Sequence, residues 1–302
     1  MVNIKHTAVI SNRCPQGEAT KSNSSAVTAA GFSANATFIK TWAAVASENV
    51  VSADAFVINC AQLFPPQDIL SNLWAIEGLW RQPVTKRFVF DASNIAALRA
   101  KGTADAMERP TQVEAVVAWI WAAVIAAARE RNKKLKTHLM SSAVNLRKRM
   151  IPSLPSNSIG NIFYVTTAKW IATSEAVDYN FLTCRVRESV RSVTDEYVRK
   201  MHENGEYIDF FKKGIESLAS SNGETEWLTT SSWCKFPLYE ADFGWGKPTW
   251  VATCVSFVNS VTLIDTGDGE GIEAWVGLTE EDMDKLDHNS EFLYYVSSSI
   301  AA

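Results

Sequence analysis

Asp242-Phe243-Gly244-Trp245-Gly246, with Lys247 and Pro248 behind it, interrupts two β-rich runs, Trp233 to Leu238 and Thr249 to Val258. Two glycines around a tryptophan allow positive φ or a close backbone approach, and the indole supplies one large anchor. Pro248 fixes the exit and cannot donate to a ladder. Residues alone therefore predict a rigid turn between two strands, with Trp245 buried and Asp242 as its polar member.

An Asp-Phe-Gly triplet also occurs in protein kinases, but that reading requires a glycine-rich loop and a His-Arg-Asp loop upstream. The chain has neither. Working outward from the turn, five further stretches stand out: Lys86-Arg87-Phe88-Val89-Phe90-Asp91, Val144-Asn145-Leu146-Arg147-Lys148-Arg149, Gly160-Asn161, Ser232-Trp233-Cys234-Lys235-Phe236-Pro237 and Gly271-Ile272-Glu273-Ala274-Trp275. In this order and spacing, from about Phe32 onward, they resemble the plant BAHD family of acyl-CoA-dependent acyltransferases.

Composition bounds the alternatives. The chain has 302 residues, 47% hydrophobic and 21% charged, the profile of a soluble globular protein. A formal charge of −4 offers no basic field for nucleic acid. Five cysteines without a Cys-x-x-Cys pair argue against a disulfide framework and for a reducing, cytoplasmic setting. The apolar run Ala115 to Ala128 is shorter than the ~20 residues a membrane span needs. The N-terminus shows no basic segment followed by an apolar core and a cleavage site.

Local patterns predict mixed α and β elements without strict alternation, a layered α/β domain. Met1 to about Ala30 carries no periodicity and is expected to be a poorly ordered leader. A helix opens at Ser33 and runs through Ala46, with Phe38, Trp42 and Val45 on one face. Val50 to Leu70 reads as loop. A strand over Lys86 to Asp91 precedes a helix over Ser93 to Lys101, stopped by Gly102. Thr111 and Glu114 form a capping box for the next helix, whose basic end (Arg129, Arg131, Lys133, Lys134) complements the helix dipole. Strands follow at Thr137 to Leu146 and Asn161 to Ala168. One long helix is expected from Thr173 or Ser174 to about His202, then another from Glu206 to Leu218. The last quarter reads as strands over Trp227 to Phe236 and Thr249 to Val258, a hairpin of Val261 to Ile264 with Ile272 to Val276, and a helix capped by Thr279. The hairpin turn, Asp265 to Gly271, has three carboxylates but not the order of a calcium loop, so no metal is expected.

The resemblance implies more. It implies a two-layer fold like that of chloramphenicol acetyltransferase, mainly the C-terminal half of a two-domain enzyme. Residues 1–31 would be an unmatched leader, 32–62 a remnant of the N-terminal domain, 63–85 a crossover, and 86–302 the C-terminal domain. The family transfers an acyl group from acyl-CoA to a hydroxyl or amine of a small-molecule acceptor. Its base is the histidine of a His-x-x-x-Asp motif, and by family spacing these two positions are Val27 and Gly31, so no catalytic residue is expected here. Ser231 and Trp233 would line the acceptor channel. Ser142, Asn145, Lys148, Arg149 and Lys235 would neighbour the CoA phosphates, although Lys148 and Arg149 read equally well as a solvated strand end. Asp242, Phe243, Gly244, Trp245 and Gly246 would be structural, with Arg147 as the partner of Asp242. His138 reads as a surface or packing residue, and Cys234 as a small core residue. An apolar face left without its covering domain would self-associate.

Overall fold

Residues 8–10, 31–47, 82–103, 108–133, 137–172, 177–203, 206, 223–253 and 257–301 are described by a computed structural model. In chain order the elements are β1 (Ala8–Ile10), α1 (Gly31–Ala46), β2 (Val84–Phe90), α2 (Ala92–Lys101), α3 (Gln112–Arg131), β3 (Thr137–Asn145), β4 (Phe163–Ile171), α4 (Tyr179–Arg191), α5 (Asp195–Glu203) and β5 (Thr225–Ser232). A 3₁₀ turn (Pro237–Glu240) follows, then β6 (Val251–Thr253), β7 (Ser260–Asp265), β8 (Ile272–Leu278), α6 (Glu280–Asp287), α7 (Ser290–Leu293) and β9 (Ser298–Ala301). Seven strands make one mixed sheet in the order β4-β3-β5-β7-β8-β2-β9, with β3, β5 and β7 mutually parallel and the other pairs antiparallel.

One face of this sheet is sealed by helices. Along each strand every second residue points to them: Met140 and Ala168, Leu228, Val261 and Leu263, Ala274 and Val276, Phe88 and Phe90. The central cover is α3. Its capping box forms as the sequence requires, with Thr111 Oγ1 accepting from Glu114 N and Glu114 Oε2 accepting from Thr111 N. By length and composition this helix could cross a membrane, yet twelve of its residues are buried against the sheet and its neighbours. Its basic end does more than complement a dipole. Arg131 Nε donates to both carboxylate oxygens of Asp282 at 2.9 and 3.0 Å, and Nη2 to Glu226 at 2.9 Å. That network fastens α3 to the start of α6 and to β5.

The other face is covered differently. Over β7 and β8 lies a smaller cluster built from Trp233, Leu238, Val251, Ile264, Trp275 and Ala36 of α1. Helix α1 buries Ala36 and Ala43 and turns Phe38, Trp42 and Val45 to solvent.

Several boundaries differ from the sequence reading. Within the expected leader, Ala8–Ile10 form a strand parallel to β6. The expected domain boundary between 85 and 86 cuts through β2, which is paired with β8 from Val84 onward. Of the strand expected over Thr249 to Val258, Val251–Thr253 form β6, which pairs with β1 rather than with the large sheet, and residues 254–256 lie outside the described residues. The single long helix is two, α4 and α5. Arg149 Nη1 takes the carbonyls of Val190 and Val193, each at 2.9 Å, and Thr194 Oγ1 accepts from Tyr197 N to start the second. Asp178 caps α4. The loop of Val50 to Leu70, the boundary at 62/63 and nearly all of the helix expected over Glu206 to Leu218 lie outside the described residues.

Candidate functional site

The Asp242 turn closes on itself. Gly244 and Gly246 adopt φ of 99° and 108°, a region open to glycine at little cost. This aims both amides at Asp242 Oδ1, at 2.8 and 3.0 Å. Those two donors hold the Asp242 carboxyl below the usual carboxylate range. Trp245 is not buried: it is exposed and stacks on Phe243, which meets Trp42 of α1 edge-on. The expected pairing of Asp242 with Arg147 is also corrected. Arg147 is buried elsewhere, with its guanidinium donating to the carbonyls of Ser158 at 2.8 Å and Gly160 at 3.0 Å, which pins the loop after β3. A double-mutant cycle of Asp242→Ala and Arg147→Ala is therefore expected to be additive within about 0.5 kcal/mol in thermal unfolding. A larger coupling would restore the pair.

Ser231 and Trp233 end β5 on the sheet face opposite the helices. Trp233 Nε1 donates to Ser231 Oγ at 3.2 Å. In register across the sheet, Ser231 faces Thr262, Thr262 faces Trp275, and Trp275 faces Arg87. This is a row of small hydroxyls ending in large polar side chains. Trp233 itself is buried in the cluster under α1, so of the two expected channel residues only Ser231 keeps partial access.

The five CoA-side residues do not form one group. Ser142 points to the helix-covered face, where its hydroxyl meets Thr230 at 2.7 Å. Arg149 holds the end of α4, as described above, and burial lowers its pKa. Asn145, Lys148 and Lys235 are exposed. They lie at or just beyond the carboxyl ends of the parallel strands β3 and β5, an edge where open α/β sheets commonly take ligands. The Asn145 side-chain oxygen accepts from Arg147 N at 3.1 Å. Lys235 takes φ of 66°, held by its own N–H donating to Asp265 at 2.6 Å.

None of the described histidines reaches Ser231. His138 lies against Trp170 in the helix-side core, where burial, then Arg129 and Arg131, bring its pKa down to about 4. His202 belongs to α5, and His288 ends α6 with Nδ1 2.7 Å from the Asp284 carbonyl. Burial pushes the Cys234 thiol up to about 12, so at neutral pH it is a packing group rather than a nucleophile.

Sequence reasoning missed the buried ion pair of this face. Arg87 Nη1 donates to Glu273 Oε1 at 3.0 Å, and Trp250 Nε1 donates to both Glu273 oxygens at 3.2 and 3.0 Å. The signal was present: Glu273 interrupts an otherwise apolar strand, Ile272–Leu278. A cleft of about 890 Å³ lies on the opposite, helix side, lined by Trp119, Ala126 and Arg129 among others. None of the expected site residues lines it.

The transferase family model matches residues 27–293. A limonoid 1-O-acetyltransferase of Citrus sinensis is 38% identical over 275 residues, covering 87% of this chain and 62% of that protein. The crystal structure of vinorine synthase matches with a TM-score of 0.69 and 31% identity, over 91% of this chain and 62% of that one. TRI101 of F. graminearum, complexed with coenzyme A and T-2 mycotoxin, matches with a TM-score of 0.68 over 89% of this chain and 64% of that one. At 17% identity that likeness is one of fold alone. The chain thus spans about three-fifths of the length of these relatives. The family match and the mixed α/β fold agree with the resemblance carried by the Asp242 turn and its companion stretches, and the chain belongs to the transferase family of the BAHD acyltransferases.

Proposed function

We propose that this chain carries the scaffold of an acyl-CoA-dependent acyltransferase acting on a hydroxyl or amine of a plant secondary metabolite, and that the 302-residue chain by itself binds CoA without turning it over. Family membership supports the reaction class, and the names of relatives support a plant small-molecule acceptor. Coenzyme A as acyl carrier is supported by the TRI101 complex of the same fold. Five cysteines without a Cys-x-x-Cys pair suit a reducing cytoplasm.

The second half rests on the side chains at the positions where the family's spacing puts its base. A neutral acceptor hydroxyl attacks a thioester poorly unless a group within hydrogen-bond reach takes its proton. By the family's spacing the histidine and aspartate positions fall at Val27 and Gly31, or at Ala26 and Ala30 with one inserted residue, and none of these four side chains takes a proton. Each described histidine sits in the helix layer or its core, behind the sheet from Ser231. Among the described residues, the Ser231 face carries hydroxyls, indoles and the Glu273 carboxylate, and that carboxylate is already held by Arg87 and Trp250.

Calorimetric titration with CoA, alongside a thiol-release assay with acetyl-CoA and an alcohol acceptor, tests both halves. Expected are saturable CoA binding, weakened by Lys148→Ala and Lys235→Ala, and thiol release no faster than with heat-inactivated protein. Acceptor-dependent thiol release would overturn the inactivity and point to a base outside the described residues. Absence of CoA binding would overturn the scaffold reading.

A further inference from the structure

A left-handed backbone is unfavourable for any residue with a Cβ, and a non-glycine persists there only where its surroundings over-determine the chain. Among the described residues two non-glycines take a positive φ, Asn259 at 59° and Lys235 at 66°. Asparagine visits that region readily. Lysine does not, which singles out Lys235. It is the third residue of a four-residue turn, Trp233 to Phe236, in which Phe236 N–H donates to the Trp233 carbonyl at 3.3 Å. A positive φ at the third position of such a turn ordinarily calls for glycine or asparagine.

What holds the lysine there comes from the neighbouring strand. Strand β5 runs parallel to β7 with Ser232 opposite Leu263, and Trp233 N–H extends that ladder to the Leu263 carbonyl at 2.7 Å. Two residues later on each chain, Lys235 meets Asp265, the last residue of β7, whose Oδ2 accepts from Lys235 N–H at 2.6 Å. A carboxylate this close to a lysine would usually pair with its ammonium. Here it takes the amide instead, and the ammonium stays exposed and makes no ion pair among the described residues. It stands beyond the carboxyl end of β5, on the same sheet edge as Asn145 and Lys148.

We infer, on the basis of the CoA binding proposed above, that Asp265 is the positioning residue for Lys235: its carboxylate fixes the turn that presents the Lys235 ammonium to the phosphate groups of CoA. Charge alone predicts the opposite effect. A carboxylate beside a phosphate site repels the ligand, so removing it would tighten binding. A carboxylate that sets the backbone of the lysine acts through the place of its acceptor oxygen, so binding follows that place and not the charge.

Calorimetric titration of the 302-residue chain with CoA separates the two. Lys235→Ala is expected to weaken binding by about three- to tenfold, the loss of one exposed cation–phosphate contact, and Asp265→Ala by a similar factor. Asp265→Glu keeps the charge but moves the oxygens out by a methylene, and is expected to weaken binding as alanine does. Asp265→Asn keeps an acceptor in place without the charge, and is expected to bind at least as tightly as wild type. Adding Asp265→Ala to Lys235→Ala is expected to change affinity no further, a non-additivity that a general loosening of the fold does not produce. Melting curves identify the folded variants, and the glutamate and asparagine variants carry the contrast even if Asp265→Ala does not fold. Tighter binding by Asp265→Ala, wild-type binding by Asp265→Glu, weaker binding by Asp265→Asn, or a further loss in the double variant would each overturn the role of Asp265 while leaving CoA at Lys235. Unchanged binding by Lys235→Ala would remove Lys235 from the CoA site and the role of Asp265 with it, and a wild-type chain that binds no CoA would overturn both this role and the scaffold reading.

Discussion

Replacing Glu273 by alanine lowers the unfolding free energy by about 3–5 kcal/mol in a urea titration. The side chain of Glu273 is 6% exposed and that of Arg87 19%, so the pair sits out of water on the sheet face under α1. Strand geometry puts it there: Arg87 pairs with Trp275 and Val89 with Glu273, so the two charges stand diagonally on neighbouring strands. Trp250 closes the group, donating its indole N–H to the carboxylate while the Arg87 guanidinium lies 5.3 Å from its ring centre. Removing the carboxylate leaves a buried guanidinium and an indole N–H without their acceptor, which costs more than the pair contributes as a pair. Glu273→Gln keeps an acceptor for Trp250 and is expected to lose less. Arg87→Met combined with Glu273→Leu removes both charges and is expected to lie closer to wild type than either single alanine variant. A loss below about 1 kcal/mol for Glu273→Ala would mean that water reaches the pair. Because Trp250 also forms the exit of the Asp242 turn, the alanine variant is expected to loosen that turn.

The elements that a sequence reveals are those fixed by neighbours in sequence. The Thr111/Glu114 box and the Thr279 cap need only a few consecutive residues, and the chain writes them out; the Asp91 and Asp178 caps are equally local and were passed over in the sequence reading. Asp242 belongs to the same class. An aspartate before glycines satisfies its own turn amides, and that local signal outweighed the distant arginine to which resemblance had assigned it. Long cations are a different matter. Arg131, Arg147 and Arg149 look alike on paper, yet one meets two carboxylates, one a loop of carbonyls and one the end of a helix. Each guanidinium has five donors on a flexible stem, so its partner is chosen by tertiary packing, which no short window contains. The same limit applies to the face of α1. Periodicity grouped Phe38, Trp42 and Val45 correctly on one side, but which side meets the protein depended on Ala36 packing into the cluster of Trp233 and Leu238. Ser231 and Ser142 were both assigned by resemblance, and strand register separates them: Ser231 lies on the sheet face opposite the helices and Ser142 on the helix face beside Thr230.

Between pH 7 and pH 4 the chain is expected to lose about 3 kcal/mol of stability through His138 alone. Its folded-state pKa is about 4 against 6.5 for the free side chain, with burial as the main cause and the nearby Arg129 and Arg131 guanidinium groups adding to it. Each unit of displacement is worth about 1.4 kcal/mol. The sign follows from proton counting. Between about 4 and 6.5 the unfolded chain binds a proton at this position and the folded chain does not, so lowering the pH favours unfolding. The contribution is intact above 6.5, falls through that window and is fully lost below 4. His202, whose pKa is also lowered by burial, acts in the same direction. Asp91, held near 2 first by the Ser297 hydroxyl, titrates below the window and does not obscure it. His138 Nε2 is buried without a hydrogen-bond partner among the described residues, so His138→Leu removes an unsatisfied atom and keeps an apolar surface against Trp170. Urea unfolding of wild type and His138→Leu at half-unit steps from pH 4 to 7.5 is expected to give two curves that diverge by about 3 kcal/mol, the variant having the flatter one. Parallel curves would show that His138 takes up its proton in the folded state at an ordinary pH, which requires solvent access to the core between β3, β4 and the end of α3.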